Sequence, residues 1–258
     1  MCRLFGLRAA SPHPVQDSLL HESNALRLQS REHPDGWGIG HYPSGASAEA
    51  PLVTRGLAPA FADREFARAA DRVVAQIVVA HVRKASCGPV ALENTHPFAR
   101  GRWLFAHNGT VSRFADDPAV RLRLEAELDP DLRGELRGDT DSERIFLLFL
   151  ARLRAGGPLS EPSPPERIAR ALAATVDTVR AIADRPGEIP SSLTFIVSDG
   201  RTLLSLRHGR TLHFRGELDP EGRVERFMVA SEILGGQGLW QEVPEGGVVG
   251  VGPELRLL

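Results

Sequence analysis

The run Ile77-Val78-Val79-Ala80-His81-Val82 is apolar at almost every position and dominated by β-branched side chains. A strand of this kind keeps no face for water, so it has to lie inside a sheet that is covered on both sides. Trp103-Leu104-Phe105-Ala106 is a second, shorter run that reads the same way, and each run gives out into polar residues and glycine. At 258 residues, 42% of them hydrophobic, the chain has the material to bury such strands without disulfide or metal staples. One domain over residues 2–258 is expected.

Other segments fill in around these strands. A strand is expected at Leu4 to Leu7, almost at the start of the chain, where termini usually fray unless something ties them down. A helix around Asp17 to Ser30 and the turn-rich His33-Pro34-Asp35-Gly36-Trp37-Gly38 follow, leading into a strand near Ile39 to Tyr42. Thr140 to Arg154 reads as a helix with Thr140 as N-cap and Glu143 completing a capping box. A surface loop over Gly156 to Pro165 opens a second helix, whose Ile168, Leu172, Val176, Val179 and Ile182 share one apolar face. Short strands at Leu193 to Val197, Thr202 to Leu206, Leu212 to Phe214 and Phe227 to Ala230 are expected as antiparallel neighbours. The class is α+β and layered, with the stacking of the layers left open by pattern alone.

Charge and cysteine content exclude several roles. Thirty-one Lys and Arg against 33 Asp and Glu leave a net charge of -2, so no basic stripe points to nucleic acid and the expected ligand is a small molecule. No apolar run approaches the roughly 18 residues of a membrane span, and the first residues lack the apolar core of a signal peptide, so a cytoplasmic location is expected. Two cysteines are too few for a disulfide framework or a thiolate metal site. His81, His96 and His107 lie in separate segments without ligand spacing, and the glycines after Trp37 do not complete a dinucleotide fingerprint. Neither a metal nor a cofactor is expected.

The chemistry-bearing residues sit where strands and helices end. Cys2 is the sharpest of them: removal of Met1 would leave a thiol and a free α-amine on one residue, a nucleophile carrying its own base. Arg83 and Ser86 follow the buried strand, where a guanidinium and a hydroxyl suit a carboxylate. His107-Asn108-Gly109 ends the second run; the Asn108 amide and Gly109 N–H could serve as oxyanion donors, while the local sequence favours a plain Asn-Gly turn. Asp141 falls in the first turn of the capped helix, where the macrodipole keeps a carboxylate ionised and fit for an ammonium group. His96 lies in the polar loop between the two runs, and Cys87 reads as an inert thiol near the pocket.

Met-Cys-Arg-Leu-Phe-Gly, His-Pro-Asp-Gly-Trp-Gly, Ala-His-Val-Arg-Lys-Ala-Ser, Asn-Thr-His-Pro-Phe, Ala-His-Asn-Gly and Gly-Asp-Thr-Asp-Ser-Glu occur in that order between Cys2 and Glu143. Together they resemble the class II glutamine amidotransferases, and Val229-Ala230-Ser231-Glu232 with Trp240 is similar to the stand-alone bacterial branch of that family. The resemblance implies a four-layer αββα sandwich of the N-terminal nucleophile hydrolase type. It also implies Cys2 as nucleophile, Asn108 and Gly109 as oxyanion hole, Arg83 and Ser86 on the substrate α-carboxylate and Asp141 on its α-ammonium. The Asp35-Gly36-Trp37 loop would buttress the nucleophile, with Gly36, Trp37 and His96 counted among the substrate-side residues. The expected reaction is hydrolysis of the γ-glutamyl amide of glutamine or a related compound through a Cys2 thioester. The alternatives are a glutaminase subunit that hands ammonia to a separate synthase partner, and a catalytically silent γ-glutamyl-binding module.

Overall fold

The computed structural model describes residues 2–43, 50–235 and 239–258. Among them the chain forms, in order, β1 (Arg3–Pro14), a π-turn (Asp17–His21), α1 (Leu26–Gln29), β2 (Trp37–His41), β3 (Leu52–Gly56), α2 (Arg64–Arg72) and β4 (Val74–Val82). A 3-10 turn (Leu92–Asn94), β5 (Phe98–Arg100), β6 (Trp103–Thr110), α3 (Pro118–Ala126), α4 (Pro130–Arg133), α5 (Asp141–Arg154) and α6 (Pro165–Ala183) follow. The last part holds β7 (Ser192–Ser198), β8 (Leu203–Leu206), β9 (His213–Leu218), β10 (Val224–Ala230), β11 (Gln241–Glu242) and β12 (Val248–Val251).

Strand alternation sorts the apolar side chains into three layers. Phe5, Leu7, Val78 and Ala80 turn one way, onto Leu19, Leu26 and Phe66 of the first helical layer. Leu4, Ile77 and Val79 turn the other way and meet Leu104, Ala106 and Ile196 of a second sheet. Trp103, Phe105, Leu193 and Phe195 on that sheet's far side pack under Phe146 and Phe149 of α5 and Leu172, Val176 and Val179 of α6. The order is therefore helices, sheet, sheet, helices. Both uninterrupted apolar runs lie in central strands covered on each face, the only arrangement in which a strand without a polar face is stable.

The larger sheet runs β11-β9-β10-β1-β4-β2-β3 and the smaller β12-β8-β7-β6-β5, with antiparallel pairing throughout. β1 is held between β4 and β10, with Arg3 opposite Val82 and Phe5 opposite Ala230, which is what fixes the start of the chain in place.

Several sequence expectations are corrected. The helix expected over Asp17 to Ser30 is two short turns separated by Asn24, whose φ of 66° breaks any continuous helix. Asn108-Gly109 is not a turn: β6 continues through both, pairing them with Thr194 and Leu193 of β7. The capping box is half made. Thr140 Oγ1 accepts from Glu143 N at 3.3 Å, but the Glu143 carboxylate turns to the Arg137 and Gly138 N–H groups at 2.9 and 2.8 Å. The late strands do not form one neighbouring set, since β7 and β8 enter the smaller sheet and β9 and β10 the larger.

Candidate active site

Because Arg3 pairs with Val82, Cys2 arrives beside the residues that follow β4. Its Sγ receives the Lys84 N–H at 3.4 Å and lies 3.5 Å from the Lys84 carbonyl. Burial pushes the Cys2 thiol up from its ordinary value, opposed by the Lys84 N–H and by the nearby Arg83 charge. Cys2, Ser86, Cys87, His96, His107, Gly109 and Asp141 border one narrow cleft, with Arg83 and Thr140 in its wall.

The loop after β4 is built by its own polar groups. Arg83 N donates to the Gly36 carbonyl at 2.8 Å and Ala85 N to Asp35 Oδ2 at 2.8 Å, so the Asp35-Gly36 turn fixes the residues that face Cys2. Gly36 sits at φ +112°, and a Cβ there would come 2.9 Å from the Gly56 carbonyl oxygen. The buried Arg83 guanidinium donates to the Pro89, Cys87 and Gly88 carbonyls at 2.9, 3.0 and 3.2 Å, which leaves part of its donor set unused. Ser86 is exposed at the mouth. Trp37 stands apart from the cleft: it is fully buried on the helical side, edge-on to Phe66 at 5.1 Å, with Nε1 donating to Asp63 at 2.8 Å. Its contribution is packing beneath the loop.

Asp141 enters at the first turn of α5. Its carboxylate accepts from Val111 N and Ser142 N, both at 2.8 Å, and from the Cys87 thiol at 3.4 Å. Among the described residues no cation pairs with this buried carboxylate. Cys87 thereby faces the cleft, and burial followed by the Asp141 charge pushes its thiol up to about 12. His107 Nε2 lies 3.0 Å from the Ser192 carbonyl and Nδ1 2.9 Å from Ser142 Oγ. Since a carbonyl only accepts, Nε2 carries a proton, and burial favours the neutral ring. His96 lines the cleft with its ring 4.2 Å from that of His81; burial holds His96 well below its ordinary value and His81 down to about 3, so both are neutral near pH 7.

Gly109 is required by its neighbours. A Cβ there would fall 1.8 Å from the Ser192 carbonyl oxygen and 2.5 Å from His107 Nε2. Asn108, one residue earlier, points into the space between the sheets, where its Nδ2 meets Ser231 Oγ at 3.3 Å and its buried Oδ1 has no partner among the described residues. Ser231 is a residue to which sequence reasoning gave no role. Its Oγ accepts from Leu4 N at 2.9 Å, its N–H donates to the Leu4 carbonyl at 3.1 Å, and its carbonyl accepts from Thr211 Oγ1 at 3.2 Å. One hydroxyl thus joins the Asn108 amide to the strand that carries Cys2. The Ala230-Ser231-Glu232 string was the available signal, since Glu232 also pairs with Arg3 at 3.0 Å.

Residues 1–226 match the family model of the class-II glutamine amidotransferases. The chain belongs to this family. Among its relatives, a probable glutamine amidotransferase of Saccharomyces cerevisiae, DUG3, is 29% identical over 100% of this chain and 84% of its own length. A γ-glutamyl-hercynylcysteine sulfoxide hydrolase of Mycolicibacterium smegmatis is 27% identical over 97% of this chain and 96% of its own. A class-II glutamine amidotransferase domain protein from Silicibacter pomeroyi superimposes with a TM-score of 0.68 at 23% identity, covering 100% of this chain and 97% of that one. Glutamine phosphoribosylpyrophosphate amidotransferase of Bacillus subtilis has the same fold, with a TM-score of 0.63 at 16% identity, and this chain spans 48% of it. The layered sheets are accordingly those of the solved glutamine amidotransferases, an αββα sandwich.

Proposed function

We propose that this family member hydrolyses the γ-glutamyl amide bond of glutamine or a γ-glutamyl compound, with Cys2 as nucleophile. The observation that carries the reading is the convergence, in one cleft, of the Cys2 sulfur, the Gly109 backbone and a buried Asp141 carboxylate that has no cation of its own among the described residues. Two relatives named as γ-glutamyl-hercynylcysteine sulfoxide hydrolases, one from Mycobacterium tuberculosis and one from Mycolicibacterium smegmatis, support a γ-glutamyl substrate.

On this reading Met1 is removed, so that Cys2 carries a free α-amine beside its thiol. The substrate α-ammonium takes the open valence of Asp141, and its α-carboxylate takes the unused Arg83 donors with Ser86 at the mouth. The Cys2 thiol passes its proton to the α-amine, and sulfur adds to the γ-carbonyl. The Gly109 N–H and the Asn108 carboxamide stabilise the oxyanion. The C–N bond then breaks as the protonated α-amine of Cys2 gives its proton to the departing nitrogen, leaving a γ-glutamyl thioester. Water, deprotonated by the amine, adds to the thioester, and glutamate leaves as the thiol is regenerated.

The test is incubation with a glutamine-like diazo ketone followed by peptide mapping, alongside glutamate release from glutamine and γ-glutamyl amides. The adduct is expected on Cys2, and Cys2→Ala should abolish turnover while leaving the fold intact. An adduct on Cys87 with Cys2 unmodified, or undiminished turnover in Cys2→Ala, overturns the reading.

A further inference from the structure

His107 and Asp141 compete for one proton. Ser142 Oγ lies 2.9 Å from His107 Nδ1 and 3.2 Å from Asp141 Oδ1, and a hydroxyl has a single hydrogen to give. The far side of the imidazole decides where it goes. Nε2 faces the Ser192 carbonyl at 3.0 Å, which only accepts, so the proton of the neutral ring belongs to Nε2 and Nδ1 is left as an acceptor. Burial keeps the ring neutral against the pull of the Asp141 charge. Were the hydroxyl turned to Asp141, the buried Nδ1 would lose its donor, so the tautomer and the shorter contact both send the hydrogen to His107.

The consequence falls on Asp141. A carboxylate offers about four acceptor positions. Val111 N, Ser142 N and the Cys87 thiol each take one, and the Ser142 hydroxyl is near enough to take another. With that hydroxyl held by His107, an acceptor position stays open on a buried carboxylate that borders the cleft and has no cation among the described residues.

We infer that His107 is a positioning residue for substrate selectivity: by holding the Ser142 hydroxyl on its Nδ1 it keeps an Asp141 acceptor open, and the cleft thereby selects compounds with an α-ammonium over otherwise identical ones without it. The inference rests on the hydrolase reading above, in which Asp141 receives the ammonium, and adds the residue that keeps Asp141 fit to do so. Asp141 touches the substrate, whereas His107 acts through Ser142.

Glutamate and glutarate differ only in the α-ammonium, as do glutamine and glutaramate. Calorimetric binding of the two acids to the Cys2→Ala protein reads the preference without chemistry, and kcat/KM for the two amides reads it in the active protein. His107→Leu releases the Ser142 hydroxyl to Asp141 and should lower the preference for the ammonium-bearing member of each pair roughly 10- to 100-fold, as expected when a hydrogen bond to a charged group has to be displaced first. Gly109 packs against the His107 ring, so damage to the oxyanion site slows both amides alike and cancels in the ratio. Adding Ser142→Ala to His107→Leu removes the competing hydroxyl and should restore the preference, a rescue that a merely structural loss does not show. An unchanged preference in His107→Leu, or no rescue in the double variant, overturns the proposal. Ser142→Ala alone decides the matter where His107→Leu fails to fold: a preference that rises means the hydroxyl was on Asp141 and overturns the proposal, and one that does not rise supports it. A glutamate preference without hydrolysis of either amide sinks the hydrolase reading alone. No glutamate preference in the Cys2→Ala protein removes the ammonium from Asp141 and sinks the proposal.

Discussion

Gly109→Ala tests the proposed oxyanion site without removing a functional group. The new Cβ would lie 1.8 Å from the Ser192 carbonyl oxygen, 2.6 Å from the Ser192 carbonyl carbon and 2.5 Å from His107 Nε2. Restoring ordinary contact near ~3.5 Å from the Ser192 oxygen requires about 1.7 Å of movement. None of the three atoms is the tip of a flexible chain. Two are backbone of β7, and the imidazole is pinned by Ser192 on one side and Ser142 on the other. On its other side the end of β6 has no strand, because β5 pairs only as far as Phe105. The strand end therefore swings away from β7, carrying the Gly109 N–H out of register with the position above Cys2. A displacement of that size at a reacting centre costs on the order of 100-fold, and loss of an oxyanion donor about 100- to 1,000-fold. The overpacking should also cost about 1–3 kcal/mol of stability, a fall in Tm of several degrees. The assay is glutamate release at 25 °C, well below melting, with Gly216→Ala as control, since a Cβ there has nothing within 4 Å. Turnover in Gly109→Ala within a few-fold of wild type, with the protein folded, would refute the placement of the oxyanion.

Two further outcomes are expected. Since burial raises the Cys2 thiol, its reactive thiolate is scarce at neutral pH and grows as pH climbs towards the raised value, so kcat/KM should increase from pH 6 through pH 9; a profile that falls over this range contradicts a buried-thiol nucleophile. Ser231→Ala removes the hydroxyl shared by Leu4 N and Asn108 Nδ2, and should lower kcat at least about tenfold with little change in KM, yet add no further loss in an Asn108→Ala background; independent, multiplying effects would mean that Ser231 acts apart from Asn108.

Much of this architecture was legible because some residues tolerate only one environment. The Ile77 to Val82 run could only be a doubly covered strand, and Thr140 could only begin a helix, which brought Asp141 to the cleft. Tertiary contacts were not legible. Asn-Gly is the commonest hairpin dipeptide, and nothing local says that the Ser192 carbonyl occupies the place of a side chain at Gly109. Trp37 shares a motif with the buttressing Gly36 but points to the opposite face of its sheet, a consequence of period-two alternation. Ser231 meets the site from more than 100 positions away in sequence. Its role rests on partners that only the folded chain reveals.

β1 is completed by β10, whose last pairing joins Phe5 to Ala230, and its entry is locked by the Leu4–Ser231 bonds across 227 positions. A ribosome delivers β1 more than 200 residues ahead of this sheet neighbour. Until residues 224–231 emerge, β1 can pair on one side at most, so the cleft waits for them. Competence should then be acquired abruptly, and a nascent chain halted before residue 224 should remain inert however well its earlier layers have packed.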